Sequence, residues 1–122
     1  MLIRPPDLMD QAIYFRLVMG QPVGTKDAHV LAMQQKLIAE EFEEFNQAVA
    51  DEPVENQLKE LADLVYVAFQ YAAAAGWELD EALDMVYHSN MSKLVDGKPL
   101  RREDGKVLKG PNYKPPYLED LL

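Results

Sequence analysis

The chain has 122 residues, 48% hydrophobic and 27% charged, with a net charge of −9 and no cysteine, an ordinary composition for one globular domain spanning 1–122. Without cysteine there are no disulfides or thiolate metal sites, which fits a reducing, cytoplasmic setting. The acidity argues against a nucleic-acid partner, and the lack of any run of about 18 apolar residues argues against a membrane span. The opening MLIRPPDLMD has no apolar signal core and meets proline at once. A first helix is expected after Pro5-Pro6, from Asp7 to about Met19, closed by Gly20. The loop Gln21–Gly24 leads to Thr25 or Asp27 as N-cap of a long second helix ending near Ala50. Asp51-Glu52-Pro53 interrupts, with Pro53 suited to the first turn of a third helix that runs to Ala75 and stops at Gly76. A fourth helix is expected from Leu79-Asp80 to about Leu94.

The remainder reads differently. Asp96-Gly97 and Asp104-Gly105 are two-residue turn signals, and the flanks KPLRRE and KVLK of the second are fit to pair as a small hairpin. GPNYKPPYLEDLL is proline-punctuated and reads as extended. The expected architecture is all-α: a four-helix bundle-like core over about 7–94, then a basic tail, 95–122, with a small hairpin and an extended end. Charge follows the same division. Residues 1–92 hold 5 Lys/Arg and 16 Asp/Glu, whereas 93–114 hold 7 Lys/Arg against Asp96, Glu103 and Asp104. An acidic body with a basic tail suits a device that holds a cation with carboxylates and a polyphosphate with lysines.

The acidic residues are not scattered. On the second helix, Leu37, Phe45 and Ala48 lie within about 40° of Glu41, so Glu41 stands in the middle of the apolar face. Glu44 lies at its margin one turn on, Glu40 lies further round, and Glu43 points to solvent. The third helix repeats the pattern, with Leu64, Val67, Tyr71 and Ala74 within about 40° of Glu60 and Asp63 one turn on. This helix is apolar nearly all round and is expected to be the most buried. An ionised carboxylate on an apolar face is costly to bury unless paired or ligated, and no cluster of Lys or Arg is apparent on these faces. Two antiparallel helices facing each other converge four oxygen donors: Glu41, Glu44, Glu60 and Asp63. Hard oxygen ligands without His or Cys suit Mg²⁺, or Mn²⁺.

On the fourth helix, Leu79, Ala82, Val86 and Asn90 fall within about 60° of Lys93, so Asn90 and Lys93 are expected to face inward together. An amide one turn from an ammonium suits an anionic ligand beside a cation. His88 and His29 read as surface residues.

These residues resemble the MazG-like, all-α nucleoside-triphosphate pyrophosphohydrolases, a superfamily that also holds phosphoribosyl-ATP pyrophosphohydrolases and dimeric dUTPases. The signature Glu-Glu-x-x-Glu followed on the next helix by Glu-x-x-Asp reads here as Glu40-Glu41-Phe-Glu-Glu44 and Glu60-Leu-Ala-Asp63. The family's Asn and Lys look like Asn90 and Lys93 in SNMSKL, and REDGKVLKGPNYKPP looks like a segment that closes over the site in some members. Glu43 is an extra acid within the first motif and offers a second register, which its outward direction rejects.

The resemblance implies hydrolysis of a nucleoside triphosphate to the monophosphate and pyrophosphate. Glu41, Glu44, Glu60 and Asp63 would hold Mg²⁺, and Glu40 would orient or deprotonate the attacking water. Lys93 would hold developing negative charge, with Lys106 and Lys109 assisting at the phosphates, while Asn90 contacts metal, phosphate or sugar. The alternatives are a phosphoribosyl-ATP pyrophosphohydrolase or a dUTP/dCTP-selective enzyme, with Tyr14, Phe15 and Met19 either lining the base pocket or simply core, and, from another class, a catalytically silent oligomerising or metal-binding bundle. Oligomerisation is expected, since Leu58, Leu61, Val65 and Phe69 leave an apolar surface on the third helix, and the resemblance implies a homodimer or a homotetramer made of dimers.

Overall fold

The computed structural model describes residues 7–122; the Pro5-Pro6 pair and the rest of the opening segment lie outside the described residues. The chain divides into two compact units, the first ending at Leu79 and the second spanning Asp80–Leu122.

The first unit holds three helices: α1 (Leu8–Val18), α2 (Ala28–Asp51) and α3 (Val54–Ala75). Each starts where local chemistry permits. The Asp7 carboxylate accepts from the Asp10 N–H at 3.0 Å and the Asp27 carboxylate from the His29 N–H at 2.9 Å, satisfying donors that have no intrahelical partner. Thr25, the other N-cap considered, instead receives the Asp27 N–H on its hydroxyl at 3.0 Å. Pro53 is the N-cap residue of α3, one position before the expected first turn, because its ψ of 155° is extended.

α2 and α3 pack along each other, and α1 lies on α3. Met9 and Ala12 of α1 meet Phe69, Ala72 and Ala73 of α3 in a buried cluster, with Ile13 and Leu79 at its edge. Ala72 and Ala73 of the alanine run present only small side chains to α1. The loop after α1 docks on the end of α3, where the Gly24 N–H donates to the Ala73 carbonyl at 3.1 Å and the Thr25 N–H to the Ala74 carbonyl at 2.7 Å. Gly76 ends α3 in the left-handed region, φ 78°, and a Cβ there would stand 3.1 Å from the Gly24 Cα. Both facts call for glycine.

Arg16 of α1 is 1% exposed. Its Nε donates to the Pro22 carbonyl at 2.7 Å and its Nη1 to Gln70 Oε1 at 3.4 Å, while the Gln70 amide donates to the Ala12 carbonyl at 3.3 Å. Burial pulls the guanidinium pKa down, though Arg remains charged at neutral pH.

One expectation for this unit is corrected. Phe69 is buried because α1 covers it, whereas Leu58, Leu61 and Val65 are exposed. As expected, α3 holds the most buried residues of the described helices, and they are concentrated in its second half, Phe69–Ala74, where α1 and the loop lie.

The second unit begins in α4 (Leu79–Met91), which ends three residues short of the expected Leu94. There the chain tightens into turns, with the Lys93 N–H on the Asn90 carbonyl and the Leu94 N–H on that of Met91, and the Ser92 hydroxyl donates to the Ser89 carbonyl at 2.6 Å. The turn signals hold. Asp96 and Gly97, both at positive φ, connect the Val95–Lys98 bridge. β1 (Leu100–Arg101) and β2 (Val107–Leu108) pair antiparallel with Leu100 opposite Leu108 around Asp104-Gly105. The tail then returns to α4, where the Ser89 hydroxyl donates to the Lys114 carbonyl at 2.7 Å and the Lys114 N–H to Ser92 Oγ at 2.8 Å. It finishes in a 3₁₀ turn, Leu118–Leu121, which the extended reading did not anticipate. No helix among the described residues is long and apolar enough to cross a membrane.

Candidate metal centre

The central carboxylates meet because α2 and α3 pack along each other. Glu41 of α2 and Glu60 and Asp63 of α3 each offer one carboxylate oxygen, and the three oxygens lie within 4.8 Å of one another. All three residues are half-buried. Glu41 Oε2 and Glu60 Oε2 are shielded from solvent and have no hydrogen-bond partner. A buried, unmatched carboxylate oxygen is costly. Two of them in one cluster make a donor set that a divalent cation could satisfy.

Electrostatics supports that fit. Desolvation pushes the Glu41 carboxyl above its ordinary range, and the Glu44 charge, a hydrogen bond with Glu44 and the charges of Asp63 and Glu60 push it the same way. Protonation is the way a metal-free site relieves such crowding. The donor set is all carboxylate, which suits a hard divalent cation such as Mg²⁺ or Mn²⁺.

Glu44 stands outside the three-oxygen group and is exposed, yet it is the neighbour that acts most strongly on Glu41. Glu40 and Glu43 are both exposed on α2. Lys59 had no place in the sequence reading, which looked for no single lysine beside these carboxylates. Its Nζ lies 2.8 Å from Asp63 Oδ2 and 3.3 Å from Glu60 Oε1, so one cation offsets part of the charge of the α3 pair. These contacts hold the Lys59 pKa above its ordinary value. The signal was available, since Lys59 and Asp63 are an i, i+4 pair. Gln34 was also missed. It lies seven residues before Glu41, hence on the same face of α2, and is 6% exposed with its Oε1 shielded and unpartnered.

In the second unit the expected Asn90–Lys93 face is not formed. Asn90 is exposed, and Lys93 is half-buried in the turn beyond α4, where a helical wheel no longer applies. Lys106 is exposed, and Lys109 lies over the Tyr113 ring, 4.8 Å from its centroid. His88 is exposed and reaches Asp84 one turn back at 3.5 Å. Of the suggested base-pocket residues, Tyr14 and Met19 are exposed, and Phe15 packs edge-on against Tyr66 with ring centroids 5.7 Å apart.

The family model for phosphoribosyl-ATP pyrophosphohydrolase matches residues 14–90, more than half of the chain and all of α2 and α3. No individual curated protein matches. The chain belongs to this family, a branch of the MazG-like all-α pyrophosphohydrolase superfamily, and the activity that goes with it is pyrophosphohydrolysis of a nucleotide-like substrate.

Proposed function

We propose, proceeding from that membership, that the chain hydrolyses a nucleoside triphosphate to its monophosphate and pyrophosphate, with Mg²⁺ or Mn²⁺ held by Glu41, Glu60, Asp63 and Glu44. The observation that carries the reading is the pair of shielded, unpartnered oxygens of Glu41 and Glu60 within one carboxylate cluster. A cation bound there supplies neutralisation of phosphate charge and Lewis acidity. Glu44 completes the set by a rotamer change open to an exposed side chain. Glu40, adjacent to the cluster in sequence and exposed, orients or deprotonates the attacking water. Lys93, Lys106 and Lys109 bind the phosphates, and Asn90 a phosphate or the sugar; these assignments rest on charge and donor chemistry.

A second substrate reading is favoured by the matched family's own description, phosphoribosyl-ATP. The chemistry is the same and the recognised group differs. The exposed Leu58, Leu61 and Val65 of α3 support a homodimer or a tetramer built from dimers, and a chain without cysteine suits a reducing cytoplasm. We read 1–122 as one functional domain.

The test is pyrophosphate release with and without Mg²⁺ or Mn²⁺ across canonical nucleotides, modified nucleotides and phosphoribosyl-ATP. Metal-dependent release from at least one substrate, lost in Glu41→Gln/Glu60→Gln, is expected. Release at the wild-type rate from the double variant would overturn the site, and no release from any substrate would favour a silent bundle.

A further inference from the structure

Lys59 is left unused by the chemistry proposed above, yet its ammonium is the group most intimately engaged with the α3 carboxylates. It precedes Glu60 directly and Asp63 by one turn, with Nζ 2.8 Å from Asp63 Oδ2 and 3.3 Å from Glu60 Oε1. Both acceptor residues belong to the three-carboxylate cluster. The contacts are one-sided. Lys59 reaches the outer part of the cluster, while Glu60 Oε2 and Glu41 Oε2, on the shielded side, receive nothing. A single ammonium thus offsets part of the repulsion and leaves the buried half unsatisfied.

We propose that Lys59 is a built-in competitor for the divalent cation: it holds Glu60 and Asp63 in the metal-free protein and must release them when a metal enters. The inference rests on the cluster being a metal site. Two effects act in the same direction. The ammonium and the metal draw on lone pairs of the same two carboxylates, and a positive charge retained beside the site repels a second cation. Release is easy, because the side chain is 65% exposed and its stem flexible, so water takes over the ammonium. Lys59 therefore lowers metal affinity without blocking the site, and keeps the carboxylates gathered when no metal is present.

The test is a Mn²⁺ titration, by calorimetry or by the electron-spin resonance of free Mn²⁺, on wild type, Lys59→Met and Lys36→Met. Lys36 is an exposed lysine of α2, so its variant makes the same change in net charge away from these contacts. Lys59→Met is expected to bind Mn²⁺ about three- to tenfold tighter than wild type, and Lys36→Met within about twofold of it, since remote exposed charges are largely screened. The gain should shrink in about 0.5 M KCl for the same reason. Metal-free Lys59→Met should melt earlier than wild type, with the order reversed at saturating Mn²⁺. Unchanged or weaker Mn²⁺ binding by Lys59→Met overturns the inference alone. Failure of the wild type to bind Mn²⁺ overturns the metal site with it. Should Lys59→Met not fold, Lys59→Gln carries the same comparison.

Discussion

Glu41 Oε2 on α2 and Glu60 Oε2 on α3 are both closed off from solvent without a hydrogen-bond partner, in residues whose carboxylates converge from two helices. In the metal-free protein the pair is a source of instability, because each oxygen has lost water and gained nothing. Glu41→Gln/Glu60→Gln removes two charges at almost constant volume. Its metal-free melting temperature is expected to equal or exceed that of wild type, and its Mg²⁺- or Mn²⁺-induced rise in melting temperature to vanish. Loss of a mere outer partner of a metal ligand already reduces affinity or activity by about 10–100-fold. Removal of two ligands should therefore lower pyrophosphate release by more than about a hundredfold. A metal-induced shift that survives in the double variant contradicts the assignment.

The same cluster sets a pH dependence. Burial first, then the neighbouring carboxylates, raise the folded-state pKa of Glu41 above its ordinary 4.5. Between those two values the folded chain binds more protons at this position than the unfolded chain. Stability from this group is thus fully present at lower pH and is lost as pH rises through the window. In the presence of a chelator, wild type minus Glu41→Gln should show that decline in melting temperature as pH increases from about 4.5, with a plateau above. Metal opposes it, since a cation competes with the proton: Mn²⁺ affinity should fall as pH descends into the same window. A difference curve that is flat, or that rises with pH, rejects the raised pKa.

Arg16 makes a separate prediction about the scaffold. Its guanidinium is 1% exposed and joins the Pro22 carbonyl of the α1–α2 loop to Gln70 of α3. Truncation strands both acceptors in a site that water reaches poorly. Arg16→Met should cost about 2–4 kcal/mol in urea unfolding, the range for breaking a buried hydrogen-bond network. Gln70→Leu should cost less, because the Nε contact to Pro22 survives. Equal losses from the two variants, or a loss under about 0.5 kcal/mol for Arg16→Met, the scale of an ordinary surface change, indicate that the loop is held by its backbone bonds to Ala73 and Ala74 instead.

The helices and the central carboxylates were legible in the sequence because they depend on local rules. Asp7, Asp27 and Gly76 mark helix ends through caps, and the apolar period places Glu41 and Glu60 on facing stripes. Asp96-Gly97 and Asp104-Gly105 likewise require only turn chemistry. What escaped depends on partners distant in sequence or on where periodicity stops. Phe69 was assigned to the surface because nothing in α3 itself says that Met9 and Ala12 lie over it. Lys93 was assigned an inward direction by a wheel extended two residues past Met91, into turns stitched by Ser89 and Ser92. Lys59 is the instructive omission. It belongs to no basic cluster, yet it stands alone at the spacing that reaches Glu60 and Asp63 together.

Gln34 gives the last prediction, and it reports on a part of α2 away from the carboxylates. The residue is 6% exposed, its Oε1 is shielded, and no partner reaches that oxygen. It lies on the face of α2 that carries Glu41, about two turns or roughly 10 Å earlier along the helix. A buried amide oxygen without a donor costs about 1–3 kcal/mol. Methionine has nearly the same length, no polar amide and a similar helix propensity. Gln34→Met should therefore raise unfolding free energy by about 1–2 kcal/mol while leaving Mn²⁺ affinity unchanged, because the Glu41, Glu60 and Asp63 oxygens are untouched. The check is urea unfolding beside a Mn²⁺ titration of the same variant. Destabilisation with intact metal binding would mean that the amide has a structural partner, such as a buried water or a second copy of the chain. Loss of metal affinity in a well-folded variant would instead tie this stretch of α2 to the carboxylate cluster.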